Sequence, residues 1–287
     1  MASIADIRHS VKSISETQQI TRAMHLISSS KMRKAIERYE ANHVHFVRVQ
    51  SAFKDILMHT SGLEHPYVGE SRGGKAAYVV IAADKGLCGG YNHNVLNLAL
   101  KYMQQSAERY ILTVGQMARF FFDRLGYMVD VEFLHVSQNP SLYNARNITA
   151  DLLELYDNGL MDEVYVVYTE FITPLKQEPR VLKLLPISVS NLVDVETEVQ
   201  YTGELVYHPT LKVVFDRLVP QYIIGLVYGC LVQSYASEQC ARMTAMDNAT
   251  KNAEDMINNL SKEYNTARQF AITNEISEII GAHEAIQ

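Results

Sequence analysis

Few residues of this 287-residue chain stand at spacings that chemistry needs, and the most suggestive cluster follows an apolar run. Ala76 to Ala83 (AAYVVIAA) leads into Asp84-Lys85-Gly86-Leu87-Cys88-Gly89-Gly90-Tyr91-Asn92, the place where an α/β domain holds a phosphate between a strand and the next helix. The string is not G-x-G-x-x-G and lacks the Lys-Ser/Thr pair of a P-loop. No acid follows at the spacing of a ribose ligand, the nearest being Glu108. The other reading is a tight strand-to-helix crossover in which Gly86, Gly89 and Gly90 supply dihedrals that other residues avoid. Cys88 near His93 is raw material for a thiol nucleophile, but no orienting acid or oxyanion arrangement accompanies it, and a lone Cys is more often an apolar packer. His43 and His45, at i and i+2, point to different faces of a helix and make a poor metal pair. Cys88, Cys230 and Cys240 have no ligand spacing and are too few to staple a chain this long, which points to a reducing cytosol. Catalysis, a bound cofactor and a metal site within this chain are therefore unsupported.

The elements that would position these residues are marked out by helix breakers. All seven prolines and thirteen of the fourteen glycines lie between Gly62 and Gly229. The breaker-free ends, 1 to 61 and 230 to 280, could run as helices of roughly 90 Å and 75 Å, lengths expected of coiled coils or projecting rods rather than ordinary globular helices. The net charge of −6 argues against nucleic acid as a partner. Leu218 to Ser237 is uncharged for twenty residues, but Pro220, Gln221, Gln233, two glycines and two serines lower its hydropathy, so a helix packed by protein is expected rather than a membrane span. The start, MASIADIRHSV, enters helical periodicity by Ile4 and shows no targeting pattern.

Ser3 with Asp6 predicts a capping box at the first helix. Ile4, Ile7, Val11 and Ile14 then recur in steps of three and four, a coiled-coil seam. The same register continues through Gln18, Thr21, His25 and Ser28 before Met32, Ala35, Tyr39 and Phe46 restore apolar character, while Ile20, Met24 and Ile27 form a stripe displaced around the helix. Either the helix changes what it touches midway, or this is a long bundle helix with an ordinary polar interruption. In the last helix the seam is read as Met246, Ala249, Ala253, Met256, Leu260, Ala267 and Ala271, small and flexible residues beside a dense set of Asn and Thr that suits a solvated face. Residues 1 to 61 carry nine Lys or Arg against five acids, and residues 230 to 287 four against eight, so the two ends are +4 and −4 and suited to lie along each other.

Between them, strands at Ala76–Ala83, Tyr110–Val114, Tyr127–Val136 and Glu163–Ile172 alternate with helices at Asn92–Gln105, Gln116–Leu125 and Asn147–Asn158, which predicts a parallel α/β layer. A final strand near Arg180 to Ser188 would lie antiparallel at an edge, and Asp194 to Pro209 reads as a loop or a marginal hairpin. Three domains follow: 1–61, 62–208 and 209–287.

Several strings resemble one family across nearly the whole length: Thr17-Gln18, Ile20-Thr21, Ala23-Met24 and Lys31-Met32-Arg33-Lys34-Ala35 near the start; DKGLCGGYN from Asp84 to Asn92; and SEQCARMTAMDNATKNA from Ser237 to Ala253, followed by Tyr264-Asn265, Arg268-Gln269, Ile272-Thr273, Glu275-Ile276 and Glu278-Ile279. These are similar to the gamma subunits of bacterial F-type ATP synthases. The resemblance implies an α/β fold, a central Rossmann-like domain, joined to an antiparallel coiled coil of the terminal helices that stands among three alpha and three beta subunits. It implies further contacts with an epsilon subunit and a membrane-embedded c-ring, the c-ring surface falling near Asp194 to Leu211. It implies a non-catalytic shaft, turned by proton flow through the ring, that changes nucleotide affinity at the beta subunits. ATP, ADP and Mg would sit on the partners, and the chain would be peripheral at the cytoplasmic face of the cell membrane. Contact roles carry over to Arg8, Met24, Lys31, Arg33, Lys34, Arg242, Asn265, Arg268, Gln269, Thr273 and Glu275. Residues 189 to 215 contain no Cys, unlike chloroplast relatives with a redox-active pair, and Ser28-Ser29-Ser30 replaces Ala-rich sequence. The competing expectation is a nucleotide-binding α/β enzyme with coiled-coil arms for dimerisation.

Overall fold

The structure, a computed structural model, describes residues 3–59, 65–69, 73–187 and 210–284. The long helices predicted at the two ends are α1 (Ile4–His59) and α5 (Leu211–Glu284). Two compact units result, Ser29–Ala241 and Met1–Ser28 with Arg242–Gln287. Their boundaries fall inside both long helices rather than where the breakers begin, because the stretches of α1 and α5 nearest the sheet are packed onto it.

In the larger unit the chain alternates as the hydrophobic pattern demands: β1 (Lys75–Ile81), α2 (Tyr91–Met103), β2 (Glu108–Val114), α3 (Gln116–Arg124), β3 (Val131–Phe133), α4 (Leu142–Asp157), β4 (Glu163–Thr173) and β5 (Lys176–Leu185). The sheet order is β3-β2-β1-β4-β5, parallel except for β5. The chain first winds outward from β1 through β2 to β3, then returns to the other side of β1, so the topological switch point lies between β1 and β4. Strand residues alternate between two cores. Tyr78, Val80, Ile111 and Val167 pack under α2 and α3, while Val79, Ile81, Leu112, Val164 and Val166 pack under α4 and the sheet-side portions of α1 and α5.

That second core also settles the uncharged stretch. α5 is long and apolar enough to cross a membrane by length and composition alone, but within Leu218–Ser237 only Gln221 is exposed. Phe53 stacks on Tyr222 at 4.8 Å and leans on Phe215 at 5.3 Å, and Phe46 faces Tyr222 at 6.1 Å. Farther along, the Gln233 Nε2 donates to Tyr39 Oη at 3.2 Å. Partner numbers on α5 fall as those on α1 rise, so the helices run antiparallel.

Three elements differ from the sequence expectation. The third strand starts at Val131 rather than Tyr127 because the Asp130 side chain takes the Ile111 N–H at 2.7 Å, standing in for a ladder partner. Helix α4 starts five residues early because Ser141 caps it, accepting from the Asn144 N–H at 3.2 Å. Strand β5 begins at Lys176, straight after a two-residue turn at Pro174 and Leu175, and carries Pro179 where an edge strand tolerates a missing N–H. The tract expected to be a loop or hairpin, 194–209, lies outside the described residues.

Candidate partner-facing surface

The helix-pair unit holds most of the residues predicted to make contacts. Its start is the predicted capping box: Ser3 Oγ accepts from the Asp6 N–H at 3.2 Å, and Asp6 accepts from the Ser3 N–H at 3.1 Å. On α1 the seam positions Ile4, Ile7, Val11, Ile14, Gln18, Thr21, His25 and Ser28 are all covered, so the seam keeps its register straight through the polar section. The helix does not change its intramolecular contact midway. On α5 the covered positions run Met246, Ala249, Thr250, Ala253, Ile257, Leu260, Tyr264, Ala267 and Ala271. One expected seam residue is corrected: Met256 is 53% exposed and Ile257 takes its place, because steps of four and three from Ala253 reach 257 and 260. Across the seam Thr21 Oγ1 and Thr250 Oγ1 lie 2.8 Å apart, and each is also within reach of a carbonyl of its own helix, Gln18 O at 3.0 Å and Met246 O at 2.8 Å; with one proton each, one hydroxyl donates across the seam and the other to its own helix.

The displaced stripe turns out to be an outward surface. Ile20 is 60% and Ile27 54% exposed, Leu26 is exposed beside them and Met24 is half-buried. Their steps of four and three continue in sequence to Lys31 and Lys34. On α5 nothing from Ile272 to Ile280 is covered, and Ile272, Ile276, Ile279 and Ile280 recur at helical spacing. These isoleucines are functional candidates that sequence reasoning passed over in favour of charged neighbours; the i, i+4, i+7, i+8 spacing beyond the last seam residue was the signal.

Of the predicted contact residues, Arg8, Lys31, Arg33, Lys34, Asn265, Arg268, Gln269, Thr273 and Glu275 are exposed. Arg242 differs: it is 9% exposed, so its side chain is spent within this chain. Thr266 and Thr273 donate their hydroxyls to the carbonyls of Lys262 and Gln269, at 3.0 and 2.8 Å. A face whose hydroxyls are satisfied by its own helix presents methyl groups and carries no obligatory hydrogen bond to a neighbour.

The turn after β1 is a crossover held by its own side chains. Asn92 Oδ1 accepts from the Ala83 N–H at 2.9 Å, Asn92 Nδ2 donates to Cys88 Sγ at 3.2 Å, and Asp84 Oδ1 accepts from the Gln116 N–H at 3.1 Å. Only one of the three glycines is left-handed, Gly89 at φ +56°; the other left-handed residue is Leu87 at +61°. Gly86 and Gly90 do not use positive φ. Cys88 is buried as a packing residue, and His93 bonds Asn97 at 2.8 Å instead of approaching it. Burial pushes the Cys230 and Cys240 thiols up, which disfavours thiolate chemistry. His43 stacks on Tyr39 at 5.2 Å, and the His45 side chain lies outside the described residues. Among the described residues no group of three or more metal-ligating side chains comes together.

The ATP synthase family model matches residues 3–286. This chain belongs to that family. Within it, an ATP synthase gamma chain of Ruminiclostridium cellulolyticum is 44% identical over 98% of both chains, and one of Acetobacterium woodii, named as sodium ion specific, is 36% identical over 99% of this chain and 98% of its own length. The fold is shared with a chain of the Euglena gracilis mitochondrial ATP synthase, at TM-score 0.69, 18% identity and 99% and 94% coverage. It is shared also with one of the central stalk and c-ring of the Tetrahymena thermophila enzyme, at TM-score 0.62, 22% identity and 80% and 99% coverage.

Proposed function

We propose that this chain is the central rotor shaft of an F-type ATP synthase, a non-catalytic subunit that carries rotation of a membrane c-ring to the catalytic beta subunits. The observation that carries the reading is the combination of full-length family membership with a helix pair whose seam is satisfied while apolar side chains at regular spacing face outward. Monomers bury such stripes unless another chain covers them. In this reading Ile20, Met24 and Ile27 with Lys31, Arg33 and Lys34 on α1, and Asn265, Arg268, Gln269, Thr273 and Glu275 with the terminal isoleucines on α5, face three alpha and three beta subunits. The larger unit meets the epsilon subunit and the ring.

A shaft acts by differential contact. Each angular position presents a different set of side chains to each beta subunit, and only contacts that differ between conformations of that subunit shift its nucleotide affinity. The isoleucines on these faces suit this because apolar side chains re-pack without stranding a donor at each step. Nucleotides and Mg belong to the partners, proton flow through the ring supplies the torque, and the chain is peripheral at the cytoplasmic face of a bacterial membrane.

Co-expression with alpha and beta subunits tests this. One copy of this chain should co-purify with three of each and restore cooperative ATP hydrolysis, while the chain alone neither binds nor hydrolyses ATP. Nucleotide turnover by the isolated chain would favour the enzyme with dimerisation arms instead.

A further inference from the structure

The loop after β1 forms one wall of a small cavity that the shaft reading leaves unused. It has a volume of about 130 Å³ and is lined by Gly90, Tyr91 and Asn94 at the start of α2, Thr169 of β4, Gln177 and Pro179 of β5, and Ala241 of α5. It lies at the carboxyl ends of β1 and β4, on either side of the switch point, where open α/β sheets bind ligands. We propose that this cavity binds a free tetrahedral oxyanion, inorganic phosphate.

Four observations support the assignment. First, α2 is thirteen residues long, has no side chain capping its N-terminus at Gly90 and has no acid in its first turn, so the positive end of its dipole is left uncompensated by the chain. The two nearby side chains that could have capped it are turned elsewhere: Asn92 to Ala83 and Cys88, Asp84 to the start of α3. Second, no Asp or Glu lines the cavity.

Third, Thr169 is 4% exposed and its hydroxyl has no hydrogen-bond partner. It stands two residues beyond Val167, which packs under α2, so strand alternation aims its side chain to the cavity face. Its main chain is already committed, the N–H to Ser234 Oγ at 3.2 Å and the carbonyl to Ser237 Oγ at 3.3 Å. A buried, unpaired hydroxyl costs stability unless something meets it. Fourth, size selects the ligand. Water occupies about 30 Å³ in the liquid, so the cavity holds a few waters or one small oxyanion, well below the 300 Å³ or more of typical organic-ligand sites. A nucleotide is too large.

The test is equilibrium dialysis of the full-length chain against radiolabelled inorganic phosphate, with circular dichroism to verify folding of each variant. Saturable binding of one phosphate per chain, competed by sulfate and unaffected by ATP, is expected. Thr169→Val should weaken it about tenfold or more, the loss of one hydrogen bond to a charged group, and Thr169→Ser should restore it. Gly90→Asp places a carboxylate at the start of α2, where a Cβ has room against Asn94 at 3.4 Å, and should abolish binding while its charge complements the positive end of the helix dipole, leaving the helix at least as stable. Absence of saturable binding, affinity unchanged in both Thr169→Val and Gly90→Asp, or displacement of phosphate by ATP would each overturn the proposal. None of these results bears on whether the chain co-purifies with alpha and beta subunits, so the two readings fail separately.

Discussion

The sheet-bearing unit and the helix-pair unit solve burial in opposite ways. The first encloses Phe53, Phe215, Ile148, Leu152 and Leu184 almost completely, between one face of the sheet and the helices packed on it. The second has one seam, built on α1 from Ile and Val and then from Gln18, Thr21, His25 and Ser28, and on α5 from four alanines among larger residues, and it leaves Ile20, Ile27, Phe270, Ile276 and Ile279 in the open. A unit that closes its own core needs no partner to be stable. One that leaves apolar side chains at regular spacing is built for surfaces supplied by other chains.

The sharpest way to break this comparison is at Phe53. Its ring is fully buried and sandwiched by Tyr222 and Phe215, so Phe53→Ala should cost about 3–5 kcal/mol, through lost transfer free energy and a cavity. Urea unfolding of the isolated chain measures it. A loss under about 1 kcal/mol would mean that this core is no better closed than the seam.

A smaller effect follows from Tyr222. Burial raises its phenol pKa from the ordinary 10.0 to about 12, only partly offset by a hydrogen bond with Gln50. The neutral phenol is the form the fold favours, so the stabilisation is intact below pH 10 and is lost as pH rises from 10 through 12, about 2–3 kcal/mol in all. Urea midpoints at pH 9 and pH 11.5 should fall less in Tyr222→Phe than in the parent chain. Burial also raises Tyr67, Tyr165 and Tyr168, so the variant keeps part of the decline.

How much of this was legible in the sequence differs between the two units. The α1 seam could be read residue by residue because a heptad step is local information, and Gln18, Thr21, His25 and Ser28 fell on it despite being polar. The same reading slipped at Met256, since an apolar side chain beside the seam looks like a seam residue unless the step is counted from Ala253. In the sheet, element order and the antiparallel edge were legible from β-branched runs and breakers. The late start of β3 was not, because it depends on Asp130 meeting Ile111 across 19 residues. The turn misled in another way: glycine spacing suggested three unusual dihedrals, whereas the chain uses one at Gly89 and one at Leu87, and holds the rest with Asn92. The burial of Arg242 and the orphaned hydroxyl of Thr169 are tertiary facts with no local signature.

Within the helix pair, Thr21 offers a more modest perturbation. Thr21→Val removes the hydrogen bond to Thr250 but leaves Thr250 satisfied by Met246 O, so the cost should be about 1 kcal/mol. Because helix pairs of this kind open locally, the loss should appear as faster amide exchange in residues 14–28 and 243–257, with the urea midpoint of the sheet-bearing unit unchanged. A shift of that midpoint by as much as Phe53→Ala causes would show that the seam is part of the main cooperative core.

The end of α5 should give the smallest change in stability and the clearest change in function. Every residue from Ile272 to Ile280 is exposed, and among the described residues the last covered position is Ala271, so replacing Ile276, Ile279 and Ile280 by Ser removes no packing seen there. Surface changes of this sort stay within about 0.5 kcal/mol, and thermal unfolding of the isolated chain should be indistinguishable from the parent. In an assembly with alpha and beta subunits, the shaft reading expects the same variant to assemble but to deliver less torque per ATP hydrolysed, because it removes the apolar face which that reading turns toward the surrounding subunits. A lowered midpoint in the isolated chain would place those isoleucines in this chain's own core. Full torque in the assembly would shift the partner-facing role to the stripe of Ile20, Met24 and Ile27, whose replacement by Ser is then the stricter measurement.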